Sequence, residues 1–223
     1  MDYIIVGGGV YGCGIAWELA RRGAAVLLLE AGALAGGASG GLGKRGVRAN
    51  GRDLRELPLM RMAYEQWPTL HDELGHDTGY ERVGHLQIIE RPRDLVGASA
   101  RAWTQQQQGI ATQVLDSAAL CEREPYVNEA VLGALYCPND GIADHTATTL
   151  GYAAAAQRAG AQIRPETRVT AIEQKAGRVT AVQTATAERI AVGKALILLA
   201  NSAVPSLLET AFQLTLPIWS RLP

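Results

Sequence analysis

Gly7, Gly9 and Gly12 stand between a short apolar run and a helical one, and three glycines at this spacing suit a specific chemistry. Gly7 permits a tight turn, Gly9 lets the backbone approach a pyrophosphate, and Gly12 lets a helix pack close against a strand. The helix that follows would point unpaired N–H groups and a positive dipole end at the phosphates. Glu30 follows the glycines by roughly 20 residues, where an acidic side chain accepts from ribose hydroxyls and disfavours a 2′-phosphate. The alternative is a glycine-rich turn that binds nothing.

The elements needed to position these residues are legible around them. Asp2–Val6 is short, β-branched and apolar, which predicts a buried parallel strand. Over 11–22 the spacing predicts a helix with Ile15, Ala16, Leu19 and Ala20 on one face, with Cys13 packed inside it and Gly23 as its stop. Ala25–Leu29 predicts a second strand. Residues 31–46 then carry glycine at 32, 36, 37, 40, 41, 43 and 46, which excludes a core strand and frees backbone N–H groups for a ligand, or else makes a flexible loop.

Further on, 54–74 has helical spacing, with Leu57, Met60, Ala63, Tyr64, Trp67 and Leu70 as the buried stripe and Pro68 as a kink or boundary. A strand is expected over 80–90, a surface helix over 93–108 whose exposed end is Gln105–Gln108, and a strand over 131–136 closed by the turn Pro138-Asn139-Asp140-Gly141. Residues 146–158 read as helix, 160–163 and 168–172 as strands, and 178–184 with 188–192 as a hairpin. The fully apolar 195–200 is a strand of the kind found inside a parallel sheet. Two nucleotide-binding portions thus flank a β-rich insert near 79–144.

Bulk properties narrow the function classes. With 21 basic and 22 acidic side chains the net charge is −1, so no polybasic surface for nucleic acid or anionic lipid is implied. Cys13, Cys121 and Cys137 are too few and scattered for a disulfide framework or a zinc site, and no metal is expected. The early first strand leaves no room for a basic leader, and the glycines interrupt any membrane span. A cytoplasmic location is therefore expected.

Taken together, several features resemble the D-amino-acid oxidase superfamily, in the branch of glycine oxidase and sarcosine oxidase. They are Tyr3–Gly12, Glu30, the stretch Gly37–Gly41, Tyr80 with Gly84, Asp140-Gly141 with Asp144, and Thr167-x-Val169-x-x-Ile172. The resemblance implies an α/β protein, a Rossmann-like FAD-binding domain with an inserted β-rich substrate (cap) domain, of which this chain matches the N-terminal part. It implies 1–78 and 145–205 as the two parts of the FAD domain, 79–144 as part of the cap, and 206–223 as the start of a return to the cap.

It also implies roles. Gly7, Gly9, Val10, Tyr11 and Gly12 would hold the FAD pyrophosphate, Glu30 with Ala31 the adenosine ribose, and Val169 the adenine through its backbone. Ser39, Gly40, Gly41 and Ala200 would approach the flavin. Arg48 would grip a substrate carboxylate through two parallel hydrogen bonds, and Arg45 would add positive charge near the reduced flavin. His85 lies where family members line the substrate side, although a core or surface histidine is the favoured reading. The implied reaction is oxidation of an amine next to a carboxylate, the imine then being hydrolysed, with a small amine or amino acid as substrate.

Two departures stand out. Asn201-Ser202 replaces a glycine near the cofactor, and asparagine tolerates the left-handed backbone that such a turn needs. Family members also continue past the region matching 216–223. A catalytically incomplete FAD-binding fragment or subunit, completed by a partner chain or a homo-oligomer, is the competing expectation. An NAD-dependent dehydrogenase is disfavoured by the glycine-rich stretch after Glu30 and by the β-rich insert.

Overall fold

The computed structural model describes residues 1–37, 43–128 and 130–217. In chain order the elements begin with β1 (Tyr3–Val6), α1 (Val10–Ala20), β2 (Val26–Leu29), β3 (Lys44–Val47), a 3-10 turn at Leu54–Glu56 and α2 (Leu57–Leu74). Next come β4 (His85–Ile89), α3 (Pro92–Gln107), β5 (Gln113–Asp116), α4 (Ser117–Arg123), β6 (Gly133–Cys137) and β7 (Gly141–Asp144). The remainder is α5 (His145–Arg158), β8 (Gln162–Arg164), β9 (Val169–Lys175), β10 (Arg178–Thr184), β11 (Arg189–Ala191), β12 (Ala195–Leu198), a 3-10 turn at Asn201–Ala203 and α6 (Val204–Phe212).

Two compact units result. The first comprises Met1–Gly43, Leu74–His76 and His145–Pro223, the second Lys44–Glu73 and Asp77–Asp144. Residues 44–73, read from sequence as nucleotide-binding, therefore lie in the second unit. The reason is that β3 forms an antiparallel ladder with β7, and that Leu57 and Tyr64 of α2 share a core with Ala49, Ile110 and Cys137.

In the first unit a parallel sheet runs β12-β1-β2-β8. Because side chains alternate across a strand, Ile5, Val26 and Leu28 pack on one face with Cys13, Ala16 and Ala20 of α1 and Ala153 and Ala156 of α5. Ile4, Val6, Leu27 and Leu29 pack on the other face against Val169, Ile172, Val182 and Leu207. Burial on both sides explains why β1 and β2 are apolar throughout. The second face is covered by the antiparallel sheet β11-β10-β9 and by α6. Strand β12 departs from expectation: it stands at the edge of the described sheet, and all four of its residues are half-buried because only β1 flanks it.

The second unit holds the antiparallel sheet β4-β6-β5 and the β3-β7 ladder. The described part of the glycine-rich stretch makes no core strand: Lys44–Gly46 opens β3, a ladder made by backbone pairing with little side-chain burial. Two further expectations are corrected here. Helix α2 runs through Pro68 without ending there. Gln105, expected at an exposed helix end, is fully buried on the α3 face that also carries Ala98 and Ala102.

Burial acts on the thiols as well. Cys13 is pushed up to about 12 by burial and then by the charge of Glu30, and Cys137 to about 11, chiefly by burial. An unfolded chain releases both protons near the ordinary value of 9.0, whereas the folded chain retains them. Stability from these groups is therefore full below pH 9 and declines as pH rises through 9 to 12, by at most about 1.4 kcal/mol per pH unit for each thiol. Urea midpoints measured from pH 7 to 11 should be flat at first and then fall. A thiol reagent at pH 8 should label Cys121 in the folded chain, and Cys13 and Cys137 only after denaturation.

Candidate functional site

Each glycine of the opening turn does a different job. Gly7 has φ +119, and a Cβ there would stand 2.4 Å from the Leu199 carbonyl oxygen. A Cβ on Gly12 would lie 1.9 Å from the Gly7 carbonyl oxygen, so glycine is what lets α1 sit against the end of β1. Gly9 is exposed, and a Cβ there would meet nothing within 4 Å. No packing among the described residues requires glycine at residue 9. The helix it caps has no side-chain cap and no acidic residue in its first turn, which leaves its N-terminus favourable to an anion. Val10 and Tyr11 are exposed beside it, Tyr11 at 77%.

Glu30 stands at the end of β2 and is half-buried. Its Oε2 accepts from the Gly8 N–H at 2.6 Å and its Oε1 from the Gly32 N–H at 2.9 Å. A carboxylate has about four acceptor positions, so two bonds leave capacity for ribose hydroxyls. The intrachain bonds also explain Gly8, which the motif does not specify: a Cβ there would stand 2.9 Å from the Glu30 Cβ and 2.6 Å from Leu34. The spare glycine at the fingerprint's first x position, 22 residues before the acid, was the available signal. Backbone bonds fix the surroundings of Glu30 further, its N–H donating to Arg164 and its carbonyl accepting from Thr167. This donor and acceptor set fits an adenine dinucleotide.

Among the other residues expected in this unit, Ala31 is half-buried directly after Glu30, and Val169 is buried where β9 begins. Ala200 is half-buried and precedes Asn201, whose φ of +47 is the left-handed conformation expected for it. Ser39, Gly40 and Gly41 lie outside the described residues.

Arg45 and Arg48 belong to the second unit. Arg45 is half-buried on β3, and its Nη1 donates to the Lys44 carbonyl at 2.8 Å. The Arg48 guanidinium turns back to donate to the Asn50 carbonyl. Around that turn lies a buried polar cluster that the sequence reading missed. The Asp140 carboxylate, fully buried, accepts from the N–H groups of Ala49 at 2.7 Å and Asn50 at 3.1 Å and from the Tyr64 hydroxyl. Burial and this bond push the Tyr64 hydroxyl well above its ordinary range. The Asn50 side chain donates to the carbonyls of Leu135 at 2.8 Å and His85 at 3.3 Å. Burial lowers the His85 imidazole, with Asp140 acting upward and Arg48 downward.

These geometries separate glycines that serve the fold from the one that does not. Gly12→Ala should lower stability by more than about 3 kcal/mol or prevent folding, because the clash is with backbone. Gly9→Ala should cost no more than about 1 kcal/mol, the difference between a glycine and an alanine cap. Urea unfolding of the two variants beside the parent chain checks both.

Comparison with known proteins places the chain in a family. The profile of the DAO family, described as FAD dependent oxidoreductase, matches residues 2–220. Glycine oxidase of Geobacillus kaustophilus is 34% identical over 183 residues, covering 75% of this chain and 46% of that protein. Its crystal structure superposes with a TM-score of 0.80 over 91% of this chain and 56% of that one. Sarcosine oxidase subunit beta of an Arthrobacter species is 29% identical over 98% of this chain and 55% of its own length. The mitochondrial pyruvate dehydrogenase phosphatase regulatory subunit of Mus musculus is 28% identical over 81% of this chain and 21% of its own length. The chain thus spans between about a fifth and just over half of the curated relatives it matches. With a family profile matched over nearly its whole length, the chain belongs to the DAO family of FAD-dependent oxidoreductases.

Proposed function

We propose that this chain supplies the FAD-binding part, and part of the substrate-binding part, of an oxidoreductase that oxidises the C–N bond of an amine or amino acid carrying a carboxylate. The observation that carries the reading is Gly9, exposed and with nothing within 4 Å of where a Cβ would stand, next in the chain to Gly8, whose N–H donates to the half-buried Glu30. In this reading residues 1–78 and 145–205 are the two sequence portions of the FAD-binding part, although 44–73 folds in the second unit with 77–144; 79–144 belongs to the cap, and 206–223 begins the return to it.

The chain's own residues do the binding and orienting. The backbone of Gly7, Gly9, Val10, Tyr11 and Gly12 holds the pyrophosphate, Glu30 and Ala31 the ribose, and Val169 the adenine. Ser39, Gly40, Gly41 and Ala200 border the flavin. Arg48 grips the substrate carboxylate with parallel N–H groups and so fixes the direction of the adjacent C–H. Arg45 supplies positive charge where negative charge develops. The flavin, when bound, supplies the hydride acceptor, so this chain needs no acid-base pair of its own for that step. No helix of the described residues is long and apolar enough to cross a membrane, and the reading keeps a cytoplasmic location.

A second reading has its own support: relatives include a subunit of sarcosine oxidase and a regulatory subunit, and this chain spans only part of each. In that reading it binds the dinucleotide but turns over only with another polypeptide.

A visible spectrum decides between the two. The purified chain with FAD should retain a flavin band that bleaches anaerobically with glycine, sarcosine, proline or a D-amino acid. Retention without bleaching favours the second reading, and no retention at excess FAD defeats both. Glu30→Gln should weaken FAD binding about tenfold, the worth of a hydrogen bond to a charged group, as measured by titration of flavin fluorescence.

A further inference from the structure

We propose that Asp140 is the positioning residue for Arg48: its buried carboxylate holds the two backbone amides on which the placement of the guanidinium depends. The inference rests on the reading of Arg48 as the carboxylate anchor and goes beyond it by naming what sets the anchor's geometry.

Strand β3 ends at Val47, and the chain then leaves its ladder with β7 while still inside the core. Ala49 and Asn50 are both fully buried, so their N–H groups need partners there. Both find Asp140, one on each carboxylate oxygen, at 2.7 and 3.1 Å. The Tyr64 hydroxyl donates to the same oxygen as Ala49 and fixes the carboxylate in turn. The backbone carbonyl of Asp140 accepts from the Gly84 N–H at 2.7 Å. The Asn50 side chain, meanwhile, ties the same segment to Leu135 and His85.

Arg48 immediately precedes this clamped pair and donates to the Asn50 carbonyl. Its side chain lies over two glycines, where a Cβ would come within 3.1 Å of its Cδ at Gly46 and within 3.1 Å of its Nη1 at Gly51. The guanidinium is thereby referenced to the Asn50 peptide, and that peptide is referenced to Asp140. An asparagine at 140 has a single acceptor oxygen and would turn an NH2 group toward one of the two amides, so half of the clamp would become a donor facing a donor.

The test uses the full chain with saturating FAD and anaerobic bleaching by glycine, sarcosine, D-alanine and L-proline. Arg48→Lys should raise the apparent Kd of the substrate at least tenfold. Asp140→Asn should raise it about tenfold, and Tyr64→Phe about threefold. The double variant Arg48→Lys/Asp140→Asn should bind no worse than Arg48→Lys alone, since residues acting through one another are not additive. Full additivity, or an unchanged Kd in Asp140→Asn while Arg48→Lys responds, overturns the inference and leaves the anchor standing. An unchanged Kd in Arg48→Lys overturns the anchor reading and the inference with it.

A second measurement needs no turnover. In native-state hydrogen exchange, Asp140→Asn should cost Ala49 and Asn50 at least tenfold in protection relative to the β4 and β6 amides. Equal protection in the parent and variant chains overturns the proposal even if no substrate bleaches the flavin. Should Asp140→Asn fail to fold, Tyr64→Phe carries both measurements with the same expected direction.

Discussion

The first unit depends on one close approach. Helix α1 meets the end of β1 at a distance where no side chain fits, residue 12 having only 1.9 Å between the place of a Cβ and the Gly7 carbonyl oxygen. That approach draws α1 onto the sheet, where Cys13, Ala16 and Ala20 reach Ile5, Val26 and Leu28. It also draws in α5, whose alanines 153 and 156 complete the same layer. Small residues on both helices are the consequence, because bulk between them would push α1 outward and lift its N-terminus away from the turn. The exposed Gly9 and the uncapped helix start are thus presented by packing that lies entirely behind them.

Polar bonding organises the second unit where apolar packing organises the first. A buried carboxylate is costly unless its oxygens are bonded, and Asp140 meets that demand with two adjacent main-chain amides and a hydroxyl from a separate place in the chain. The arrangement joins the segment after β3 to α2 and to the β6–β7 turn. Directional bonds of this kind fix a backbone more narrowly than apolar contact does.

Glu30 combines both kinds of constraint. The packed strand β2 delivers it, and the amides of Gly8, in the glycine turn, and Gly32, just after Glu30 in the chain, hold one oxygen each. The acid that faces a ribose in the proposed function therefore also braces the loop that would face the pyrophosphate. Gly8 is glycine for the first of these reasons, being too close to Glu30 and Leu34 for any Cβ.

Much was readable from residue order because it depends on local geometry. The apolar runs of β1 and β2, the glycine spacing, the acid at 30, the hairpin of β10 and β11 and the left-handed Asn201 all follow from what a few neighbouring residues can adopt. The rest required partners distant in the chain. Asp140 reads as a turn residue until Ala49 and Asn50, about ninety positions earlier, fold against it. Gln105 reads as a helix end until the face it shares with Ala98 and Ala102 is buried. Lys44–Gly46 reads as loop until β7 offers it a ladder. Sequence alone determined the glycine turn and the resemblance to the family, because both reside in residue types and their spacing. Only the tertiary structure decided what holds Arg48, because a buried hydrogen bond is made by proximity in space, and proximity across ninety residues is set by packing.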